Sequence, residues 1–388
     1  MTTTAVSADS RAWQRVGLVL FAVGWGANHF APLLSVYRQR LGLDAAAPAM
    51  LFGMYALGLV PGLLLAGPVS DRRGRRGVVL PSAAVALGAS LALGALGDSF
   101  GALLGGRFLY GLGAGGVMSA GAVWVLELAR DAEPGAGARR ATIALSAGFG
   151  LGPLFSGVVA QYAPAPTVLP YAIHGAVLAG ALLGVRRAPD SGERAAAGPL
   201  LRIDLDRDAW SRFLRGVAPM APFVFTFPTI AIAALPSILG GSLGGAPIAY
   251  TGLLAALTLA AGVVAQPITR RFPPMVTARL GLVTGAGGVV LGAVAVASHT
   301  PVLLLVVAPI LGGAYGVCMT AGLHAVQRLA RPDARGGITG LYYVLTYLGF
   351  AAPYGLALAT RITAPVVALG VIAAGAVMVA VTLPRWRE

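Results

Sequence analysis

The sequence predicts an all-α integral membrane protein, with twelve transmembrane helices in two pseudo-symmetric six-helix bundles. Three observations predict it. Apolar residues make up 57% of the 388, charged residues only 11%, and mean hydropathy is +0.80, far from globular usage. Long apolar runs, each near the ~20 residues that a spanning helix needs, alternate with short arginine-bearing loops. Finally, short motifs of the first half recur at matching loops of the second.

The twelve runs lie at 16–37, 47–67, 77–97, 100–128, 140–162, 167–185, 213–238, 246–268, 276–298, 301–327, 337–359 and 363–383. The first is too long for a cleaved signal, and Pro32 to Tyr37 is not a small-residue cleavage site. All 28 basic residues are arginine. With the N-terminus inside, every one falls at a cytoplasmic end or loop except Arg38, Arg40 and Arg361 in outer loops and Arg107 within a span. This distribution places the chain in the cell membrane with both termini cytoplasmic. It also gives the net charge of +14 to topology and lipid rather than to nucleic acid. The one cysteine, Cys318, rules out a disulfide framework and a thiolate metal site, and reads as a small buried hydrophobe.

The longest polar interruption runs from Arg186 to Arg212 and carries the charged run Arg202–Asp208. It divides the chain into an N-terminal bundle (1–187), a cytoplasmic central loop (188–211) and a C-terminal bundle (212–388). Ala120-Gly121 followed by Leu128-Ala129-Arg130 recurs as Ala321-Gly322 followed by Leu329-Ala330-Arg331. Gly148-Phe149 leading to Pro153 recurs as Gly349-Phe350 leading to Pro353, and Arg72-Arg73 is echoed by Arg270-Arg271. A repeated six-helix unit points to a transporter with its site where the repeats meet.

Three motifs carry a family likeness. The loop from Gly67 to Arg76 places Gly67, Asp71, Arg72, Gly74, Arg75 and Arg76 between the second and third spans. In the fourth span stands Arg107-Phe-Leu-Tyr-Gly111-Leu-Gly113; in the fifth, Gly148-Phe-Gly-Leu-Gly152-Pro153-Leu-Phe-Ser156-Gly157. With these the chain resembles a twelve-span member of the major facilitator superfamily, in its drug–proton antiporter branch. Val69 stands where leucine is usual, and Ser156 replaces a glycine. The resemblance implies a monomeric secondary transporter with no cofactor, and its fifth-span motif implies export by antiport.

Each motif has a physical role open to it. At the inner surface, Asp71 is placed to bond N–H groups at a neighbouring helix N-terminus, and the loop arginines to pair with Glu127 at the end of the fourth span. Such a network suits a conformational gate; positive-inside anchoring is the plainer alternative. Its echo lacks the aspartate, so the network reads as asymmetric. Gly148, Gly152, Pro153 and Gly157 permit close helix approach and a bend, as a hinge or as ordinary small-residue packing.

Candidates for substrate and proton binding lie deeper. Arg107 is the one arginine well inside a span, serving either an anionic group or a nearby proton site, unless it snorkels to the interface. Asn28 and His29 are the most polar residues deep in the first span, and a histidine titrates near neutrality. His174 and His324 read as less central, and His299 as an outer-loop residue. Tyr343, Tyr347, Phe350 and Tyr354 share one helical face, the expected cavity wall. Phe223, Phe225 and Phe227 among Pro219, Pro222 and Pro228 predict a broken, aromatic-lined seventh helix. All fourteen acids fall in loops, tails or span ends, which argues against a strongly cation-selective pocket and moves proton coupling, if present, to His29.

No phosphate loop, metal set or nucleophilic triad is present, so an enzyme is not expected. The expectation is proton-coupled export of small amphipathic or hydrophobic compounds. The alternatives are an importer or facilitator of a small organic anion anchored by Arg107 and, more remotely, a membrane receptor or intramembrane enzyme.

Overall fold

The structure, a computed structural model, describes residues 11–44, 47–129, 136–190, 205–269, 271–329, 335–384 and 386. Arg202 to Asp204 of the central charged run, Arg130, Arg270 and Arg331 lie outside the described residues. Among the described residues, ten helices are long and apolar enough to cross a membrane. They are α1 (Ala12–Leu41), α2 (Ala47–Arg73), α3 (Arg76–Ala95), α4 (Phe100–Leu128), α5 (Ala136–Tyr162), α8 (Pro247–Pro267), α9 (Pro274–Ala297), α10 (Pro301–Leu329), α11 (Gly337–Ala359) and α12 (Pro365–Thr382). Two shorter apolar helices complete twelve, α6 (Leu169–Val185) and α7 (Phe223–Ile238).

Local chemistry sets several boundaries. Ser99 caps α4, its hydroxyl accepting from the Ala102 N–H. Gly42 closes α1 with φ of 60°, a left-handed conformation that only glycine adopts without strain. Proline breaks α7 as its composition predicts. A short helix, Arg207–Arg212, passes into a π-turn over Phe213–Val217, and a second π-turn spans Ile230–Ala234. Pro222 and Pro228 supply no N–H to the helix ladder, and the Thr226 and Thr229 hydroxyls donate to the carbonyls of Pro222 (2.9 Å) and Phe225 (2.7 Å).

Two apolar cores follow the two halves. One is built from α1–α6 around Trp124, Tyr110 and Leu20; the other from the segment before α7 and from α7–α12 around Phe213, Phe227 and Leu311. The repeat shows in the packing itself. Gly148 of α5 lies so close to α1 that a Cβ would sit 2.1 Å from the Phe21 carbonyl. Its echo, Gly349 of α11, stands the same way to α7, with a Cβ 2.3 Å from the Pro222 carbonyl. Backbones this close exclude any side chain and recover dispersion along the contact, the main attraction between helices in lipid. The sequence echo at Gly-Phe is thus an echo of one helix–helix contact.

A third cluster belongs to neither half. It joins Phe30, Leu51 and Phe52 of the first bundle to Ile232, Ala255 and Phe350 of the second, with Phe225 and Tyr347 packed against it.

Candidate functional site

At the arginine-rich end, α2 turns into α3 through Gly74, whose φ of 87° demands glycine. The turn aims Arg75 inward. Its Nε donates to both Glu127 carboxylate oxygens at 3.2 Å and its Nη2 to Oε1 at 2.9 Å, a bidentate pairing. Nη1 donates to the Ser70 hydroxyl (2.6 Å) and to Asp71. The hydrogen bonds to Glu127 raise the Arg75 pKa further above its ordinary value, against the opposing effect of burial.

The network departs from expectation at one residue. Asp71 pairs with Arg75, four residues on, while the helix N-terminus is served by Asp190, whose Oδ1 accepts from the Arg76 N–H at 3.0 Å. A Cβ on Gly74 would lie 2.3 Å from the Asp190 carboxylate, so the glycine admits that acid as well as the turn. Asp190 comes after α6 in a polar tail, and nothing in its local sequence marks the role. Arg76 joins through its backbone, and Arg72 is half-buried beside it. Gly67 contributes its carbonyl, accepting from Ser70 at 2.8 Å. All these residues belong to the N-terminal bundle except Asp190, at the start of the central loop.

The middle of α1 is interrupted at His29, with helix on either side. Pro32 cannot donate to the Asn28 carbonyl, which loosens the ladder there. Neighbouring groups use the opening: the Ser156 hydroxyl donates to the His29 carbonyl (2.6 Å) and Arg107 Nη1 to the Ala27 carbonyl (3.4 Å). Serine in place of glycine at 156 therefore has a structural purpose. Asn28 is half-buried beside the break.

Arg107 does not snorkel. It is 1% exposed, with its guanidinium 4.7 Å from the Phe30 ring centroid and 4.4 Å from that of Tyr55, and its Nε donates to the Leu51 carbonyl. Cation–π contact and carbonyls replace the carboxylate that a buried cation ordinarily takes. His174, read from sequence as less central, lies against this group. Its ring centroid is 4.8 Å from that of His29 and 5.9 Å from that of Tyr110. The available signal was Tyr171 and His174 at i, i+3 on an otherwise apolar helix.

Across the seam, Tyr347 stacks on Phe225 (5.1 Å, 17°) and on Phe350 (5.6 Å, 16°), and Phe350 stacks on Phe52 of the opposite bundle (5.6 Å, 20°). Tyr343 extends the column to Tyr347 at 6.2 Å. Tyr354 does not share this face and is 41% exposed. A 3₁₀ turn at Leu348–Ala351 tightens the winding before Pro353 and rotates the rest of α11 away. Of the α7 phenylalanines only Phe225 reaches the column; Phe227 is buried in the C-terminal core against Gly285.

At the arginine-poor end the halves touch. Arg38 Nη1 donates to the Ser237 hydroxyl (2.8 Å), and the Gln161 side chain accepts from the Ile248 N–H (3.0 Å). Gly157 and Gly252 bring α5 and α8 together: a Cβ on Gly252 would lie 2.5 Å from the Pro153 carbonyl. Gly148 and Gly152 face α1 instead, so the fifth-span motif packs α5 on both sides. Among the described residues no three His, Cys, Asp or Glu side chains converge as metal ligands would.

Known proteins share this frame. The model of the Major Facilitator Superfamily matches residues 16–354. A multidrug resistance protein, MdtL, of Escherichia coli O45:K1 is 44% identical over 64 residues, which is 16% of this chain and 16% of that protein's length. Among solved structures, a POT family transporter in complex with 5-aminolevulinic acid superposes with a TM-score of 0.77 at 11% identity, covering 96% of this chain and 95% of that one. The peptide transporter POT in complex with sulfate gives 0.75 at 16% identity, covering 96% and 93%. The interlocked α2–α3 turn, the two repeated bundles and a model match over most of the length agree: this chain is a membrane transporter of the Major Facilitator Superfamily.

Proposed function

We propose that the protein exports small amphipathic or hydrophobic compounds by proton antiport, with its arginine-rich end cytoplasmic. The observation that carries this reading is the aromatic column at the seam, contributed by both bundles and free of carboxylates. Stacked Phe52, Phe350, Phe225 and Tyr347 offer broad, nonspecific apolar contact to a flat or greasy cargo. The short likeness to a multidrug resistance protein supports the direction. The Arg75–Glu127–Asp71 network is the gate in this reading. Holding α2 against α4, it also fixes how Leu64 of α2 meets Gly340 of α11 in the other bundle.

Proteoliposomes under an imposed pH gradient test it, with phenylnaphthylamine, naphthoate and tetraphenylphosphonium as neutral, anionic and cationic probes. Gradient-driven movement of the neutral probe is expected, with the cation least favoured. No gradient-driven movement of any probe would overturn antiport.

One observation favours a second reading, a facilitator of small organic anions: Arg107 is buried with aromatic and carbonyl partners in place of an acid. It predicts naphthoate movement without a pH gradient, lost in Arg107→Gln.

A further inference from the structure

Inside the N-terminal bundle lies a run of titratable side chains that neither the arginine network nor the aromatic column uses. His29 is 1% exposed, and its Nδ1 has no hydrogen-bond partner. Its ring meets His174 edge-on at 4.8 Å and Tyr171 at 4.6 Å. The Tyr37 hydroxyl donates to that of Tyr171 at 3.1 Å, wholly buried. Tyr37 lies directly beneath the loop after α3: a Cβ on Gly97 would be 3.3 Å from its hydroxyl. The next residue, Asp98, is 78% exposed at the arginine-poor end and pairs with Arg40 at 3.1 Å. Polar groups therefore run from an acid at the surface to two histidines in the interior.

From this geometry we infer that His29 and His174 together form a proton-binding site shared between α1 and α6, reached from the Asp98 loop by way of Tyr37 and Tyr171. The inference rests on the antiport reading and names its binding groups. The groups facing the pair are Tyr171 from α6, Tyr110 and Arg107 from α4, and Tyr55 from α2 beyond Arg107. No aspartate or glutamate is buried among the described residues. Tyrosine and arginine ordinarily titrate near 10 and above 12, imidazole near 6.5. Imidazole is thus the side-chain type here whose ordinary range lies nearest neutrality.

The hydrogen bonds of His174 accommodate that change. Its Nε2–H donates to the Ala22 carbonyl at 2.9 Å, so in the neutral ring Nδ1 accepts from the Ser90 hydroxyl at 2.7 Å. On protonation Nδ1 gains an N–H and the Ser90 hydroxyl turns to accept it, with no bond lost. His29 supplies the vacant nitrogen beside it. A ring separation of 4.8 Å is one that ring rotation or a single bridging water spans for proton exchange. Gly26 keeps the pocket open to these rings, since a Cβ there would sit 1.9 Å from the Tyr110 hydroxyl and 2.6 Å from His174.

The test uses the full chain labelled with ¹⁵N-histidine in lipid nanodiscs. Only four histidines are present, so single substitutions assign the signals. We expect His29 and His174 to titrate as a coupled pair, each midpoint moving by about half a pH unit or more when the other becomes glutamine. His299 and His324 should not move. Absence of any protonation change in both, or titration of each regardless of the other, would overturn the site. In proteoliposomes with phenylnaphthylamine, His29→Gln/His174→Gln is expected to lose the response of probe flux to the pH gradient. Tyr171→Phe is expected to slow the gradient-driven rate. Wild-type gradient response in the double variant sinks the site while antiport stands. A wild-type protein with no such response sinks antiport itself, and the titration then decides the site alone.

Discussion

Two residues of the network at the α2–α3 turn, Glu127 of α4 and Gly74, show how much rests on single positions. Glu127 receives three of the hydrogen bonds that hold Arg75, and neither side chain is more than 10% exposed. Removing the acid leaves a buried guanidinium with Asp71 and Ser70 alone. Glu127→Gln is expected to cost about 2 kcal/mol, below the range for a fully buried pair because water reaches Asp71. Thermal unfolding in detergent would register it as a lowered midpoint. Gly74→Ala acts through backbone and space together. It forces a left-handed alanine and drives a methyl into Asp190, for about 1–3 kcal/mol. Restoration of the wild-type midpoint in Gly74→Ala/Asp190→Ala would show that contact with the acid, and not the dihedral, dominates.

Helix contacts explain both the reach and the limits of the sequence. Spans, arginine loops and the proline-broken α7 were legible because hydropathy and missing N–H groups act locally. The fifth-span glycines were legible as packing, and the structure gives each a backbone carbonyl to face. What escaped depended on distance along the chain. Asp190 reaches the α3 N-terminus from beyond α6, and His174 meets His29 across two helices; no local pattern records either meeting. The tyrosine stripe of α11 failed at Tyr354 for a subtler reason, since one 3₁₀ turn breaks the 3.6-residue period on which the stripe depends. A wedge tests the α5–α8 contact. Gly252→Leu should leave expression and helix content intact and lower transport by about tenfold or more, because the Pro153 carbonyl has no room to yield. Normal transport in that variant would show that the contact opens freely.

For the molecule as a whole, the bundles are hydrogen-bonded to each other at the end with few arginines. Arg38 and Ser237 lie on opposite bundles, joined at 2.8 Å. In a Cys318→Ala background, Arg38→Cys/Ser237→Cys should be bridged by a bifunctional methanethiosulfonate long enough to replace the arginine side chain, halting transport, with reduction restoring it. If transport continues while the bridge is intact, this end does not need to open. The cytoplasmic placement of the arginine-rich end has its own check. Green fluorescent protein fused at either terminus should fluoresce, and alkaline phosphatase fusions should be inactive.

The aromatic column consists mostly of C-terminal side chains, while the Arg75–Glu127 pair, Arg107, His29 and His174 lie in the N-terminal bundle. On the proposed antiport reading, energy conversion and molecular taste are housed in separate halves of one chain. Selection for a new cargo can rework α7 and α11 without touching the machinery that powers the cycle. Laboratory evolution toward unfamiliar compounds should collect its changes around Phe225, Tyr343 and Tyr347, and leave the energetic half as it stands.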